Sequence, residues 1–282
     1  MMLEKVTKAS LLILSCIAFG SCASEGILDV KNEKFVGKYY PPSSLEKSVG
    51  VLVLGGAEGG IPEKLAKAVV DAGYPTLALA YFNAKGLPQE LEKIPLEYFD
   101  SAKSWLQAQK NVDSGKLIIV GWSKGAELAL LLASRDEKIQ QIIAIAPSSV
   151  VWAGILKDWT KVPASSWTEQ GQELTHVEFK PSGAVSGLLD LYTQSLENRS
   201  ENGEADILVE NIKGNVVLMT GENDEIWPSP QMAKLICERM NKRQDGQCQH
   251  LNFNGLDHLL NYKFLDKSDP LGQTFIDKLN GG

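Results

Sequence analysis

Histidine is scarce in this chain: three in 282 residues, at positions 176, 250 and 258, so chemistry that needs an imidazole has few places to stand. Cysteine is nearly as sparse at four, and two of those, Cys16 and Cys22, fall in the first two dozen residues. Nowhere do His, Cys and carboxylates fall at metal-ligand spacing, so no metal and no cofactor is expected. Positive charge is also short. Against 35 Asp and Glu stand 28 Lys and Arg, a net charge of −7, which argues against nucleic acid or an anionic membrane surface as partner. There is no internal repeat, no low-complexity tract, and no apolar run of the about 20 residues that a membrane span needs.

What is present is ordinary globular composition, 44% hydrophobic and 22% charged, in a length that suits one large α/β domain. The beginning stands apart. Lys5 and Lys8 precede the 12-residue apolar run "ASLLILSCIAFG", too short to span but suited to the core of a secretory signal. "FGSC" closes it, and Cys22 stands where a lipoprotein would be cleaved and lipidated; cleavage after Ala23 is the alternative. Residues 1–22 thus read as a signal peptide of lipoprotein type, 23–33 as a leader, and 34–282 as one domain. The expected location is the envelope or periplasm of a bacterium, with membrane contact only through a lipid anchor. Export leaves Cys237 and Cys248 as either a disulfide or two separate thiols.

Apolar and amphipathic segments then alternate. Strands are predicted at 49–56, 75–82, 116–120, 139–147, 215–221 and 249–253, and helices at 62–73, 95–109, 124–134, 229–242 and 272–279. Val-, Ile- and Leu-rich strands without polar alternation, separated by helices, indicate a mostly parallel sheet covered on both faces. Residues 150–205 break the rhythm. Apart from a short helix near "SGLLDLYTQSL" they lack regular pattern and read as a lid-like insertion in the same domain.

Within "LIIVGWSKGAELALLLAS" (117–134), Gly121-Trp122-Ser123-Lys124-Gly125 lies between a strand and a helix. A serine at such a turn is strained outward, and small residues two before and two after it let the turn approach its neighbours. The pattern predicts a nucleophile elbow and an α/β-hydrolase fold, with the Lys124 amide aimed at a developing oxyanion. The base expected for Ser123 is His258, in the loop after the last strand; His176 lies in the insertion and His250 begins a strand. Asp224, directly after the strand 215–221, is the expected acid, since the order Ser, acid, His is that of the fold. Asp257, Glu222 and Glu225 compete for that role. "LGGAEGG" (54–60) supplies a second oxyanion amide at Ala57, with Glu58 next to it facing substrate. Trp152, Trp159 and Trp167 either wall an acyl pocket or form the insertion's own core. Trp122 and Trp227 are expected beside the pocket. Lys124 and Glu127, one helical turn apart, are positioned to pair.

The segments "AGYPTLALAYFNAKGLP", "IPLEYFDSA", "VGWSKGAELAL", "SSVVWAGI", "SSWTEQGQEL" and "TGENDEIWPS" together resemble the catalytic domain of the acyl-CoA thioesterase and bile-acid-CoA:amino-acid N-acyltransferase family, itself related to dienelactone hydrolase. The resemblance runs over roughly residues 35–270. It places Ser123, Asp224 and His258 on the family's nucleophile, acid and base. The amino-acid-conjugating members carry Cys at the nucleophile, so Ser123 resembles the hydrolytic branch. The resemblance implies a small-molecule acyl ester or thioester substrate, cleaved through an acyl-enzyme. The readings held beside it are acyl transfer to an amine, an exported carboxylesterase or dienelactone-hydrolase-like enzyme, and a non-catalytic ligand-binding lipoprotein.

Overall fold

The computed structural model describes residues 26–281 except 31, 43, 45, 201 and 243–246. The signal-peptide expectation and Cys22 lie outside the described residues. In chain order the first half runs β1 (Leu28–Asp29), β2 (Val36–Tyr40), β3 (Ser48–Leu54), α1 (Glu63–Asp71), β4 (Thr76–Ala80), β5 (Ile94–Pro95), α2 (Glu97–Gln107), β6 (Val112–Trp122), α3 (Lys124–Ala133) and β7 (Ile139–Ile145). The second half runs β8 (Trp167–Glu169), β9 (Gln172–Glu173), α4 (Leu188–Glu197), β10 (Asn215–Gly221), α5 (Ser229–Met240), β11 (Cys248–Phe253) and α6 (Pro270–Leu279).

Eight strands form one sheet in the order β1-β2-β4-β3-β6-β7-β10-β11. From β4 to β11 every pairing is parallel, while β1 and β2 join antiparallel at the other edge. The apolar runs conceal a period of two. Leu52 and Leu54 of β3 face one core while Val51 and Val53 face the other, and β6 divides Leu117 and Ile119 from Ile118 and Val120 in the same way. Helices α2, α3 and α5 cover the first face; α1 and α6 cover the second. Both faces are buried, which is why the sequence shows no polar alternation there.

The structure extends the predicted sheet in three places, one of them β2, where no strand is predicted. Residues Leu28–Asp29, counted in the leader, form edge strand β1 against Tyr39 and Lys38 of β2. Strand β6 begins at Val112, earlier than the expected 116, because Ser48 and Val49 pair with Val112 and Asp113 before a register shift at Gly50. The polar residues "DSGK" there carry no apolar run to announce a strand. In the insertion, β8 pairs with β5 and β9 in a small second sheet, and α4 is the helix expected near 186–196. Its aromatic residues build a third cluster, Trp152, Val177, Tyr192 and Leu196 with Trp227 and Met232. Cys237 on α5 and Cys248 at the start of β11 are joined by a disulfide. The bond ties an outer helix to an edge strand.

Candidate active site

Between β6 and α3 the chain reverses in a single residue. Ser123 has φ 52° and ψ −121°, a conformation that side chains with a Cβ rarely adopt. The flanking glycines make it possible. A Cβ on Gly121 would lie 2.2 Å from the Gly125 carbonyl oxygen, and one on Gly125 would lie 2.3 Å from the Gly55 carbonyl oxygen. The turn is thus wedged against its own helix and against the loop after β3.

That wedge aims Ser123 Oγ at His258, whose Nε2 is 2.9 Å away. The other ring nitrogen, Nδ1, is 2.8 Å from each carboxylate oxygen of Asp224. A carboxylate at that distance holds the proton on Nδ1 and leaves Nε2 as the acceptor facing Oγ. Asp224 itself is buried and well supplied with donors. Its Oδ1 accepts the amides of Ile226 (2.9 Å) and Trp227 (3.1 Å), and its Oδ2 accepts the Ser229 hydroxyl in a very short bond. Such donors compensate the desolvation of a buried charge. The His258 ring lies edge-on to Trp227, centroids 5.8 Å apart, and its backbone amide donates to Glu225 Oε2.

The competitors have other partners. His250 Nε2 lies 2.7 Å from Thr220 Oγ1 within the sheet, and His176 Nδ1 lies 3.2 Å from the Leu174 carbonyl. Asp257 Oδ1 accepts the amides of Leu259 and Asn261, closing its own loop.

Ser123 and His258 open into a cavity of about 720 Å³, with Ala57, Glu58 and Trp122 beside them. The insertion supplies the far wall, including Ile155, Trp159, Val162, Phe179, Leu188 and Tyr192. The tryptophans divide. Trp122 lines the cavity and Trp159 stands 70% exposed at its rim. Trp152 and Trp227, expected at the pocket, stand behind the wall instead: both are fully buried, packed edge-on against Tyr192. Their large rings gain more from filling the insertion's core than from lining an open space. They therefore support Tyr192, which does face the cavity.

Tyr81 and Ser229 have roles that the sequence did not disclose. The Tyr81 hydroxyl donates to the Gly55 carbonyl at 2.6 Å, and burial pushes its phenol well above the usual tyrosine range. With Asn83, which donates to the Glu58 carbonyl at 2.9 Å, it holds the loop carrying Ala57. Tyr81 lies in the quoted segment "LALAYFN", but nothing in a strand-end tyrosine states what its hydroxyl reaches.

Lys124 turns its side chain away from the cavity. Its Nζ, 1% exposed, pairs with Glu127 Oε2 at 2.7 Å and sits 5.5 Å from the Trp167 ring centroid. Glu127 Oε1 accepts Trp167 Nε1 (2.7 Å) and the Trp152 amide (3.3 Å), so the pair fastens the elbow helix to the insertion. Burial lowers the Lys124 pKa and raises that of Glu127, each opposed by the partner. Replacing Lys124 by Met alone leaves a buried carboxylate unpaired and is expected to cost about 3–5 kcal/mol in urea unfolding. The double change Lys124→Met with Glu127→Gln, which removes the charge but keeps an acceptor for the Trp167 indole and the Trp152 amide, is expected to recover most of that loss.

Residues 94–265 match the family described as BAAT / Acyl-CoA thioester hydrolase C terminal, more than half of the chain. Among relatives, mouse acyl-coenzyme A amino acid N-acyltransferase 1 is 28% identical over 226 residues, 79% of this chain and 51% of its own length. Human acyl-coenzyme A thioesterase 1 is 27% identical over 191 residues, 68% of this chain and 44% of its own. The chain spans about half the length of the curated relatives it matches. Solved structures share the fold at low identity. An α/β-hydrolase from a Penicillium species superimposes with a TM-score of 0.58 at 15% identity, over 89% of this chain and 97% of the other. A thermophilic esterase from Thermogutta terrifontis gives 0.56 at 15%, over 92% and 94%. The sheet order, the covered faces and the family match agree: the chain is an α/β-hydrolase and belongs to the BAAT / acyl-CoA thioester hydrolase C-terminal family.

Proposed function

We propose that this protein is a serine hydrolase of acyl esters or thioesters, working through Ser123, His258 and Asp224. The observation that carries the reading is the hydrogen-bonded line from Ser123 through His258 to Asp224, opening into a mostly apolar cavity. His258 Nε2 takes the Ser123 proton as Oγ bonds to the acyl carbon. The tetrahedral oxyanion is received by the amides of Ala57 and Lys124. Lys124 is the first residue of α3, so its N–H has no acceptor within the helix, and one such donor is typically worth about 3–4 kcal/mol in the transition state.

Collapse breaks the bond from the acyl carbon to sulfur or oxygen, and His258 returns the proton to the leaving thiol or alcohol. Water then attacks the acyl-enzyme, its proton passes to His258, and the acid departs as Oγ is reprotonated. Export belongs to the same proposal, and the Cys237–Cys248 bridge suits an oxidising compartment. The test is product analysis on a butyryl thioester, with and without glycine or taurine. Free butyrate in both cases is the expected result. An N-butyryl amino acid as the main product would make the protein an acyltransferase and overturn hydrolysis.

A further inference from the structure

Among the described residues, Glu58 is the one charged side chain fixed beside the proposed nucleophile; it lines the cavity and stays exposed to solvent there. Its Oε1 accepts the Trp122 indole N–H at 2.9 Å and the Gly56 amide at 3.2 Å, so the carboxylate is fixed in place. Its Oε2 has no hydrogen bond or ion pair among the described residues, and the side chain lines the cavity with Ser123. A Cβ on Gly56 would lie 2.9 Å from that Oε2 and 3.2 Å from Ser123 Cβ, so carboxylate and serine flank the same glycine. The other lining charges offset one another. Asp158 and Lys161 are 3.8 Å apart, and Glu178 and Lys180 sit two residues apart on the insertion. No arginine lines the cavity among the described residues, and arginine is the side chain best shaped to take phosphate.

Resting on the serine-hydrolase reading, we propose that Glu58 determines leaving-group specificity, favouring a cationic alcohol or thiol part and turning away polyanionic ones such as coenzyme A. The acyl chain fits the apolar insertion wall, which leaves the departing group near the open carboxylate oxygen. A negative charge there raises the local concentration of cations and repels phosphates. This runs against the thioester carrier that the relatives' names would suggest.

The experiment uses thioesters of one acyl group on four thiols: butyryl-thiocholine (cationic), S-butyryl-2-mercaptoethanol (neutral), S-butyryl-3-mercaptopropionate (anionic) and butyryl-coenzyme A. Each kcat/KM is divided by that of the neutral thioester in the same protein. At low salt the cationic ester is expected to exceed the anionic one by about tenfold or more, with butyryl-coenzyme A lowest. Raising the salt to about 0.5 M shrinks that ratio in the unmodified protein, with no need for any variant. In Glu58→Gln, which keeps an acceptor for Trp122 and Gly56, the ratio is expected to fall at least about fivefold. A wild-type ratio near one, a preference for the anion, or an unchanged ratio in Glu58→Gln overturns the proposal. If the neutral thioester is not cleaved, or is cleaved equally by Ser123→Ala, the serine-hydrolase reading fails and this one with it. That failure is recognisable because it does not depend on charge.

Discussion

Ser123→Ala is expected to lower kcat/KM on S-butyryl-2-mercaptoethanol by at least about a thousandfold, with little change in unfolding midpoint. The size of the effect follows from what the hydroxyl does in the proposed chemistry. It forms the bond to the acyl carbon, and no other hydroxyl lies within hydrogen-bond reach of His258 Nε2 among the described residues. The small stability change follows from what it does not do. Oγ has a single hydrogen bond, to His258, and alanine at φ 52° bears no more strain than serine. The backbone turn, the glycine wedge and the cavity all survive. Whatever rate remains would come from the cavity and the two amides acting on water. Initial rates beside a thermal melt separate the two effects: a loss of rate together with a collapse in stability would mean a folding defect, not a missing nucleophile.

Asp224→Asn is expected to cost about 10³–10⁴ in kcat, again with the protein folded. The reason is the proton on His258. In the native site Asp224 Oδ1 accepts the amides of Ile226 and Trp227, so an asparagine must keep its carbonyl oxygen there. Its NH₂ then faces His258 Nδ1 and the Ser229 hydroxyl. The NH₂ favours the ring proton on Nε2, which then has no lone pair for the Ser123 proton, and the retained carbonyl oxygen, also 2.8 Å from Nδ1, is a weaker, uncharged acceptor for the productive tautomer. The geometry is kept while the tautomer balance shifts the wrong way. Asp224→Ala, by contrast, leaves two amides and a serine hydroxyl unsatisfied in a buried position and is expected to lose stability as well. If Asp224→Asn retained most of its activity, the aspartate would not be setting the tautomer of His258.

Much of the fold was legible because its central strands are buried on both faces and its helices are amphipathic. Strand β10 falls on the predicted 215–221, and α3 begins at the predicted Lys124. The edge was not legible. In β2, "VGKYY" is short, carries a lysine and a glycine, and pairs antiparallel with β4, so it shows neither the apolar run nor a helix period. Strand β8 is three residues long and owes its existence to long-range pairing with β5, and the two-residue β9 exists only as a hairpin partner of β8. Element type in such stretches is decided by the neighbours, not by local propensity.

The site divides in the same way. A strand, a strained turn and two glycines at fixed spacing announce themselves locally, and chain order nominates an acid and a base. What a side chain reaches across the fold does not announce itself. Nothing local distinguishes Trp122, in the cavity, from Trp152, behind it, or says that Ser229 holds Asp224; the Lys124–Glu127 pair is legible from its one-turn spacing, but its burial beside Trp167 is not. Those are outcomes of packing, set by which face of the insertion meets α3.

The most direct test of the central claim is to treat the protein with a fluorophosphonate ester, weigh it intact and map the modified peptide. One equivalent of phosphonyl group is expected, carried on Ser123, absent in Ser123→Ala and formed far more slowly in Asp224→Asn. Continued ester hydrolysis after treatment with Ser123 unmodified, or an adduct on a different residue that abolishes activity, would contradict that claim.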